Sequence, residues 1–253
     1  MVFRRLFGLQ QDLPRREPRA PDGQRIYAIG DIHGRLDLLD RMLAMIDADD
    51  AARAPSQTEL IFLGDLVDRG PESRGVVERV MALVAGSPHV RCIVGNHEEI
   101  ISRSWVGDKR SAGLLNKVGG RETLLSYGVP ADQYDSADLA ALVRLARAHI
   151  PREHIAFFKS NADWVEAGDY LFVHAGVRPG YAIAEQEVSD LRWIRREFTD
   201  HEGDFGHVVI HGHSITEEVE ERPNRIGIDT GAFATGKLTA IGLESGDRWF
   251  LQT

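Results

Sequence analysis

Five short apolar runs in this chain end in the same way, at aspartate, asparagine or histidine beside glycine, and that repetition constrains the fold more than any other feature. Residues 25–29 (RIYAI) stop at Gly30-Asp31-Ile32-His33-Gly34, and residues 59–63 at Gly64-Asp65-Leu66-Val67-Asp68-Arg69-Gly70. Residues 90–94 stop at Gly95-Asn96-His97-Glu98, residues 170–173 at His174-Ala175-Gly176, and residues 208–210 at His211-Gly212-His213-Ser214. Short apolar runs bounded by turn residues read as buried strands, and glycine lets the chain turn without a Cβ clash. Asp31 and His33, two apart in locally extended backbone, leave their strand on one side. Leu39, Met42, Leu43 and Ile46 then recur at helical spacing, so this turn lies between a strand and a helix, where α/β folds keep their sites. Charged and imidazole groups so near apolar strands must be paired or coordinated, because desolvating them alone is costly. A cluster of cations satisfies all of them at once.

Together these blocks resemble the phosphoprotein phosphatase type of calcineurin-like metallophosphoesterases, above all the small bacterial and bacteriophage serine/threonine protein phosphatases. Matching blocks run from Arg25 to Gly231. The resemblance implies an α/β fold in which two mixed β-sheets face each other in a sandwich flanked by helices, with loops at one edge converging on metal. It makes Asp31 and His33 ligands of one metal, Asp65 the bridging carboxylate, and Asn96, His174 and His213 ligands of a second metal. His213 lies in the Gly-His-Ser block, whereas His211 stands where the family has an apolar residue and reads as a neighbour. His97 takes the place of the general acid, with Asp68 holding its imidazole. Arg69 and Arg195 are the planar forks that grip phosphoryl oxygens. Arg195 rests on the Trp193-Ile194-Arg195 stretch, where Arg192 and Arg196 compete for the role.

The chemistry of the donors agrees with a metal pair. Aspartate, histidine and asparagine without thiolate suit manganese first, with iron or zinc next, in a divalent or mixed-valence pair. Two such ions about 4 Å apart would clamp a phosphate and activate a bridging water as hydroxide for in-line attack on phosphorus. A carboxylate, with two oxygens, fits the bridge. The implied substrate is a phosphoprotein or phosphopeptide, and the implied product inorganic phosphate. Bacterial diadenosine tetraphosphatases look closely similar and generally lack aspartate at the position of Asp68. That residue therefore points to monoester hydrolysis, with symmetrical dinucleoside tetraphosphate hydrolysis as the alternative. A non-catalytic, metal-stabilised binding module is the alternative from another class.

At 253 residues the chain can bury a full core and has the size of one α/β domain. Thirty basic against 39 acidic side chains leave a formal charge of −9, which opposes broad binding to nucleic-acid backbones. Cys92 is the only cysteine, so no intrachain disulfide forms and a reducing, cytoplasmic setting is expected. Residues 1–24 read as a polar arm folded back on a domain spanning 25–253. Their few apolar residues do not make a signal-peptide core, and no run of 18 apolar residues occurs, so stable membrane insertion is not expected.

Elsewhere, Pro71 opens a helix carrying Val76, Val77, Val80, Met81 and Val84. Residues 100–120, with Trp105, read either as a substrate contact or as a packed cap. Residues 122–127, 139–148 and 151–159 read as short helices that form a cover beside the site, and residues 190–198 as an amphipathic segment. Residues 164–167 and 170–173 form one hairpin, and residues 237–244 and 248–252 a second, about Ser245-Gly246-Asp247. Asp229, in Ile228-Asp229-Thr230-Gly231, supports a ligand histidine or caps a turn. No glycine-rich fingerprint follows the first strand, which argues against a doubly wound nucleotide-binding sheet.

Overall fold

The central strands carry apolar side chains on both faces because both faces are covered. The computed structural model describes residues 17–253, and its strands are β1 (Gln24–Ile29), β2 (Gln57–Phe62), β3 (Val90–Cys92), β4 (Trp164–Ala167), β5 (Tyr170–Val173), β6 (Val208–His211), β7 (Glu220–Arg222), β8 (Arg225–Gly227), β9 (Thr239–Glu244) and β10 (Asp247–Gln252). They form two five-stranded sheets, ordered β10-β9-β1-β2-β3 and β4-β5-β6-β8-β7. Each sheet is mixed. In the first, β1, β2 and β3 run parallel while β9 and β10 are antiparallel additions. In the second, β5, β6 and β8 run parallel, flanked by antiparallel β4 and β7.

The period-two alternation of a strand divides its side chains between two cores. Ile26 and Ala28 of β1 meet Tyr170 and Phe172 of β5 and Ile226 of β8 between the sheets. Tyr27 and Ile29 point the other way, onto Leu39 and Met42 of the helix Leu36–Ala51 and onto Val76 and Val80 of the helix Ser73–Gly86. Leu171 and Val173 likewise turn outward to Leu191 and Phe198. The result is the sandwich of two mixed sheets flanked by helices. Arg25, at the start of β1, is fully buried, but Asp50 (2.7 Å) and Glu244 (3.0 Å) neutralise it, tying the strand to the first helix and to β9.

Both expected hairpins form, and Ser245 sits at φ 52° in the turn of the second. Residues 100–120 form the helices Asn96–Val106 and Lys109–Lys117, and Trp105 is a packing residue whose Nε1 donates to Ile150 O at 3.1 Å. The amphipathic segment 190–198 is divided between two helices, Val188–Trp193 and Arg196–Thr199. Ile194 and Arg195 break it so that Leu191, Ile194 and Phe198 all reach the outer core, and Arg195 takes φ −131° and ψ −106°. Of the N-terminal arm, residues 1–16 lie outside the described residues. Residues 17–24 lie along the sheets: Ala20 N donates to Ser245 O at 2.7 Å and Arg19 N to Asp169 Oδ2 at 2.9 Å. Among the described residues, no helix is long and apolar enough to cross a membrane.

Candidate functional site

The carboxyl ends of β1, β2, β3, β5 and β6 come to one edge of the sandwich, bringing Asp31, His33, Asp65, Asn96, His174 and His213 together, all of them buried. The loops are bonded mainly to one another. Ile32 N and His33 N donate to Asp65 O, and Gly34 N donates to Leu66 O. His213 N donates to both oxygens of Asp31 (3.2 and 3.1 Å), joining residues 182 apart in sequence. Tight approach of these loops forces left-handed backbone on residues with side chains: φ is 48° at His33, 50° at Asp65, 71° at Asp68, 72° at Arg69 and 62° at His213. Such conformations cost on the order of 1–3 kcal/mol each and persist where surrounding structure enforces them, typically at functional sites.

Asp65 is the centre. Its Oδ2 lies 3.6 Å from His33 Nε2 and 3.7 Å from His97 Nε2, and its Oδ1 lies 3.4 Å from His174 Nε2. His33, Asp65 and His97 offer ligand atoms within 4.8 Å of one another, and so do Asp65, His174 and His213. Asp65 is thus shared by two donor groups, the arrangement of a dinuclear metal site. Asp31 stands 3.9 Å from His33 Nε2.

The donors fit cations on three counts. The Nδ1 atoms of His33 and His174 sit 2.7 and 2.9 Å from the carbonyls of Val67 and Leu63, so these nitrogens carry the protons and both Nε2 lone pairs face the centre. His174 Nε2 then lies 2.9 Å from Asn96 Oδ1, two acceptors that repel unless a cation lies against both. Finally, His213 Nε2 and Asp229 Oδ2 are buried with no hydrogen-bond partner.

Electrostatics point the same way. Burial lowers the imidazole pKa of His33 to about 3 and of His213 to about 2, and lowers that of His174, leaving neutral rings ready to coordinate. Burial, with Asp229 and Asp65 nearby, pushes the Asp31 carboxyl well above its ordinary value. A carboxylate in that position calls for positive charge. His97 goes the other way: burial opposes its cation, but Asp65 and Asp68 outweigh that and raise it to about 9. Its Nδ1 is 2.6 Å from Asp68 Oδ2, and its Nε2 is 3.4 Å from Arg69 Nη2.

Arg69 is half-buried, its guanidinium 4.5 Å above the ring of Phe233, and its backbone N–H donates to Gly119 O at 3.0 Å. A Cβ on Gly119 would lie 2.7 Å from Arg69 N, so this approach requires glycine. Arg195 is exposed, and its charge is among those that depress His213. Its competitor Arg192 is engaged by Asp163 (2.7 Å) and Glu99 (3.5 Å). His211 turns from the centre toward Phe198, ring centroids 4.9 Å apart, whereas the ring of His213 faces His174 at 5.0 Å.

Sequence reasoning passed over several contributors. Glu98 accepts from Gly95 N, Asp65 N and Leu66 N at 2.8 to 2.9 Å and so splices the second loop to the third. Asp229, expected to support a ligand histidine or cap a turn, accepts from Gly231 N at 2.9 Å and is buried beside Asp31. Phe233 and Thr123 carried no signal, because only the fold brings them near.

The calcineurin-like phosphoesterase profile matches residues 24–228. The chain belongs to that family. It is therefore a metal-dependent metallophosphoesterase by fold and donor set. A relative from Anoxybacillus flavithermus, the asymmetrical bis(5'-nucleosyl)-tetraphosphatase PrpE, is 27% identical over 232 residues, covering 84% of this chain and 88% of its own. A symmetrical bis(5'-nucleosyl)-tetraphosphatase from an Acidovorax species is 32% identical over 160 residues, 63% of this chain but only 47% of that protein. The match thus spans about half the length of this second relative. A crystal structure described as that of a "putative diadenosine tetraphosphatase" shares the fold, with TM-score 0.61 and 20% identity over 95% of this chain and 96% of its own.

These relatives correct the expected substrate, which was a phosphoprotein or phosphopeptide. Their names point to nucleotides, and Asp68 shows why it misled. Its carboxylate is fully buried, with one oxygen against His97 Nδ1 and the other accepting from Thr123 Oγ1 at 2.6 Å. A residue behind the imidazole can tune His97, but it touches no surface a substrate reaches.

Proposed function

We propose that the chain hydrolyses bis(5'-nucleosyl) tetraphosphates at the centre built around Asp65. What supports a dinucleotide substrate is the match to a bis(5'-nucleosyl)-tetraphosphatase over 84% of this chain and 88% of the relative, with a doubly shared carboxylate at the converging strand ends. Asp31, His33 and Asp65 would hold one metal, and Asp65, Asn96, His174 and His213 the other, with manganese ahead of iron or zinc for this oxygen and nitrogen set. Bound there, two divalent ions supply Lewis acidity toward phosphate and lower the pKa of water. Arg69, braced by Phe233, and the exposed Arg195 grip non-bridging phosphoryl oxygens and offset charge that grows as the anhydride breaks. His97, whose cation Asp65 and Asp68 favour against the opposing charge of Arg69, hands its Nε2 proton to the departing phosphate oxygen. Asp68 fixes the tautomer.

The test is product analysis with manganese-loaded protein and diadenosine tetraphosphate. The near full-length relative is of the asymmetrical kind, so ATP plus AMP is the expected pair, and two ADP would mark a symmetrical cut. Either result supports the reading. Cleavage of a phosphothreonine peptide with the dinucleotide left intact would overturn it.

A further inference from the structure

Beside the metal-donor centre, a cavity of about 430 Å³ lies between the helices Lys109–Lys117 and Val188–Trp193, floored by the helix Asn96–Val106. Each of the three walls continues along the chain to residues of the reaction centre or its supports. The floor helix begins at Asn96 and His97, and one side helix leads to Gly119, whose carbonyl accepts from Arg69 N. The other ends at Trp193, two residues before Arg195.

Trp193 is 37% exposed, yet its ring is fixed: Nε1 donates to Glu99 Oε2 at 3.1 Å, and Glu99 is in turn held by Arg103 at 2.9 Å and Arg192 at 3.5 Å. A large aromatic plate immobilised by polar bonds and left open to solvent is prepared for a flat partner, since little entropy remains to be lost. Arg110 also lines the cavity, is exposed, and makes no ion pair among the described residues. Ile100 and Leu114 add aliphatic surface. A flat face, an uncommitted cation and an apolar edge beside a phosphate-handling centre match the chemistry of a nucleotide.

We propose that this cavity is the nucleoside subsite: a purine of the dinucleotide stacks on Trp193, while Arg110 offsets charge on the phosphate chain leading toward Arg69 and Arg195. The assignment rests on the dinucleotide reading, so two measurements separate their failures. In the first, kcat/KM is compared for diadenosine tetraphosphate and for inorganic tripolyphosphate, which has no base. Trp193→Ala should raise KM for the dinucleotide and lower its kcat/KM by roughly 5-fold or more relative to tripolyphosphate, with Trp193→Phe retaining most of the preference. Equal losses on both substrates, or none, would overturn the subsite. The second is calorimetric binding of AMP and of inorganic phosphate to manganese-loaded protein, which needs no turnover. AMP should bind more tightly than phosphate, and Trp193→Ala and Arg110→Ala should both erode that difference. If wild type fails to cut the dinucleotide but shows this pattern, the functional reading falls and the subsite stands. If AMP binds no better than phosphate, the subsite falls.

Discussion

Two neighbouring side chains, Asn96 and His97, leave the same strand end with opposite electrostatic fates. Asn96 turns its carbonyl to His174, while His97 turns its Nδ1 to Asp68 and keeps a proton that burial alone would remove. In the proposed reaction His97 is worth most when the leaving oxygen is strongly basic. His97→Asn should therefore lower hydrolysis of an alkyl phosphate by roughly 10²-fold or more, but hydrolysis of diadenosine tetraphosphate much less, because a departing nucleotide phosphate needs little protonation. Both metals should remain, which elemental analysis of the variant checks. A missing metal would instead place His97 in the coordination shell, where its distance from Asp65 also allows it to stand. At this scale the sequence was legible in residue type but not in reach. Asp68 was visible as an acid three residues after Asp65. That its carboxylate is sealed behind His97 and Thr123, and so acts only through the imidazole, depends on a helix 55 residues away.

Among the elements, strand ends were the most legible because each is marked by a change of chemistry within two or three residues. The outer break at Ile194 and Arg195 was not, because its cause is the need of Leu191, Ile194 and Phe198 to share one core, a tertiary constraint with no local signature. β7 was also missed, being three polar, mostly exposed residues paired only to β8. The loops depend on glycine where backbones touch. A Cβ on Gly212 would overlap Asp31 Oδ1, whose carboxylate accepts from the next N–H along, that of His213. Gly212→Ala should displace Asp31 and weaken metal binding roughly 10- to 100-fold, as loss of a supporting contact typically does. Titration with manganese, followed by elemental analysis after desalting, measures it. A variant that melts early yet retains wild-type metal affinity would show that the glycine serves stability alone.

Considered as a whole, the molecule concentrates uncompensated groups at one edge: Asp31, Asp65 and Asp229 are each about 2% exposed or less, and the nearby imidazoles of His33, His174 and His213 are neutral. Folding without cations must bury these carboxylates against one another, so metal and stability are linked. Manganese at a hundred times its dissociation constant should add about 2.7 kcal/mol per site. For a chain of this size each kcal/mol corresponds to roughly 2–4 °C in Tm. Calorimetric scans of stripped and reloaded protein should therefore differ by several degrees, and coincident transitions would sink the two-metal assignment. Against a net charge of −9, the dinucleotide proposed as substrate would depend on local positive charge, which Arg69, Arg110 and Arg195 would add to that of the metals.

The order of the donors along the chain has a consequence for how such a centre is made. Asn96 and His174 touch at 2.9 Å but are 78 residues apart, and Asp31 and the His213 backbone are 182 apart. At a synthesis rate of about 5–20 residues per second, roughly 4–16 seconds pass between the emergence of Asn96 and that of His174. Throughout that interval the ribosome-bound chain presents Asp31, His33, Asp65 and His97 without the partners that shape the cavity around them. An open cluster of carboxylate and imidazole ranks metals by intrinsic affinity, favouring copper and zinc over manganese. Selection by geometry requires β6 docked beside β5, which brings His213 to Asp31, so the donor set is incomplete until residue 213 has been made.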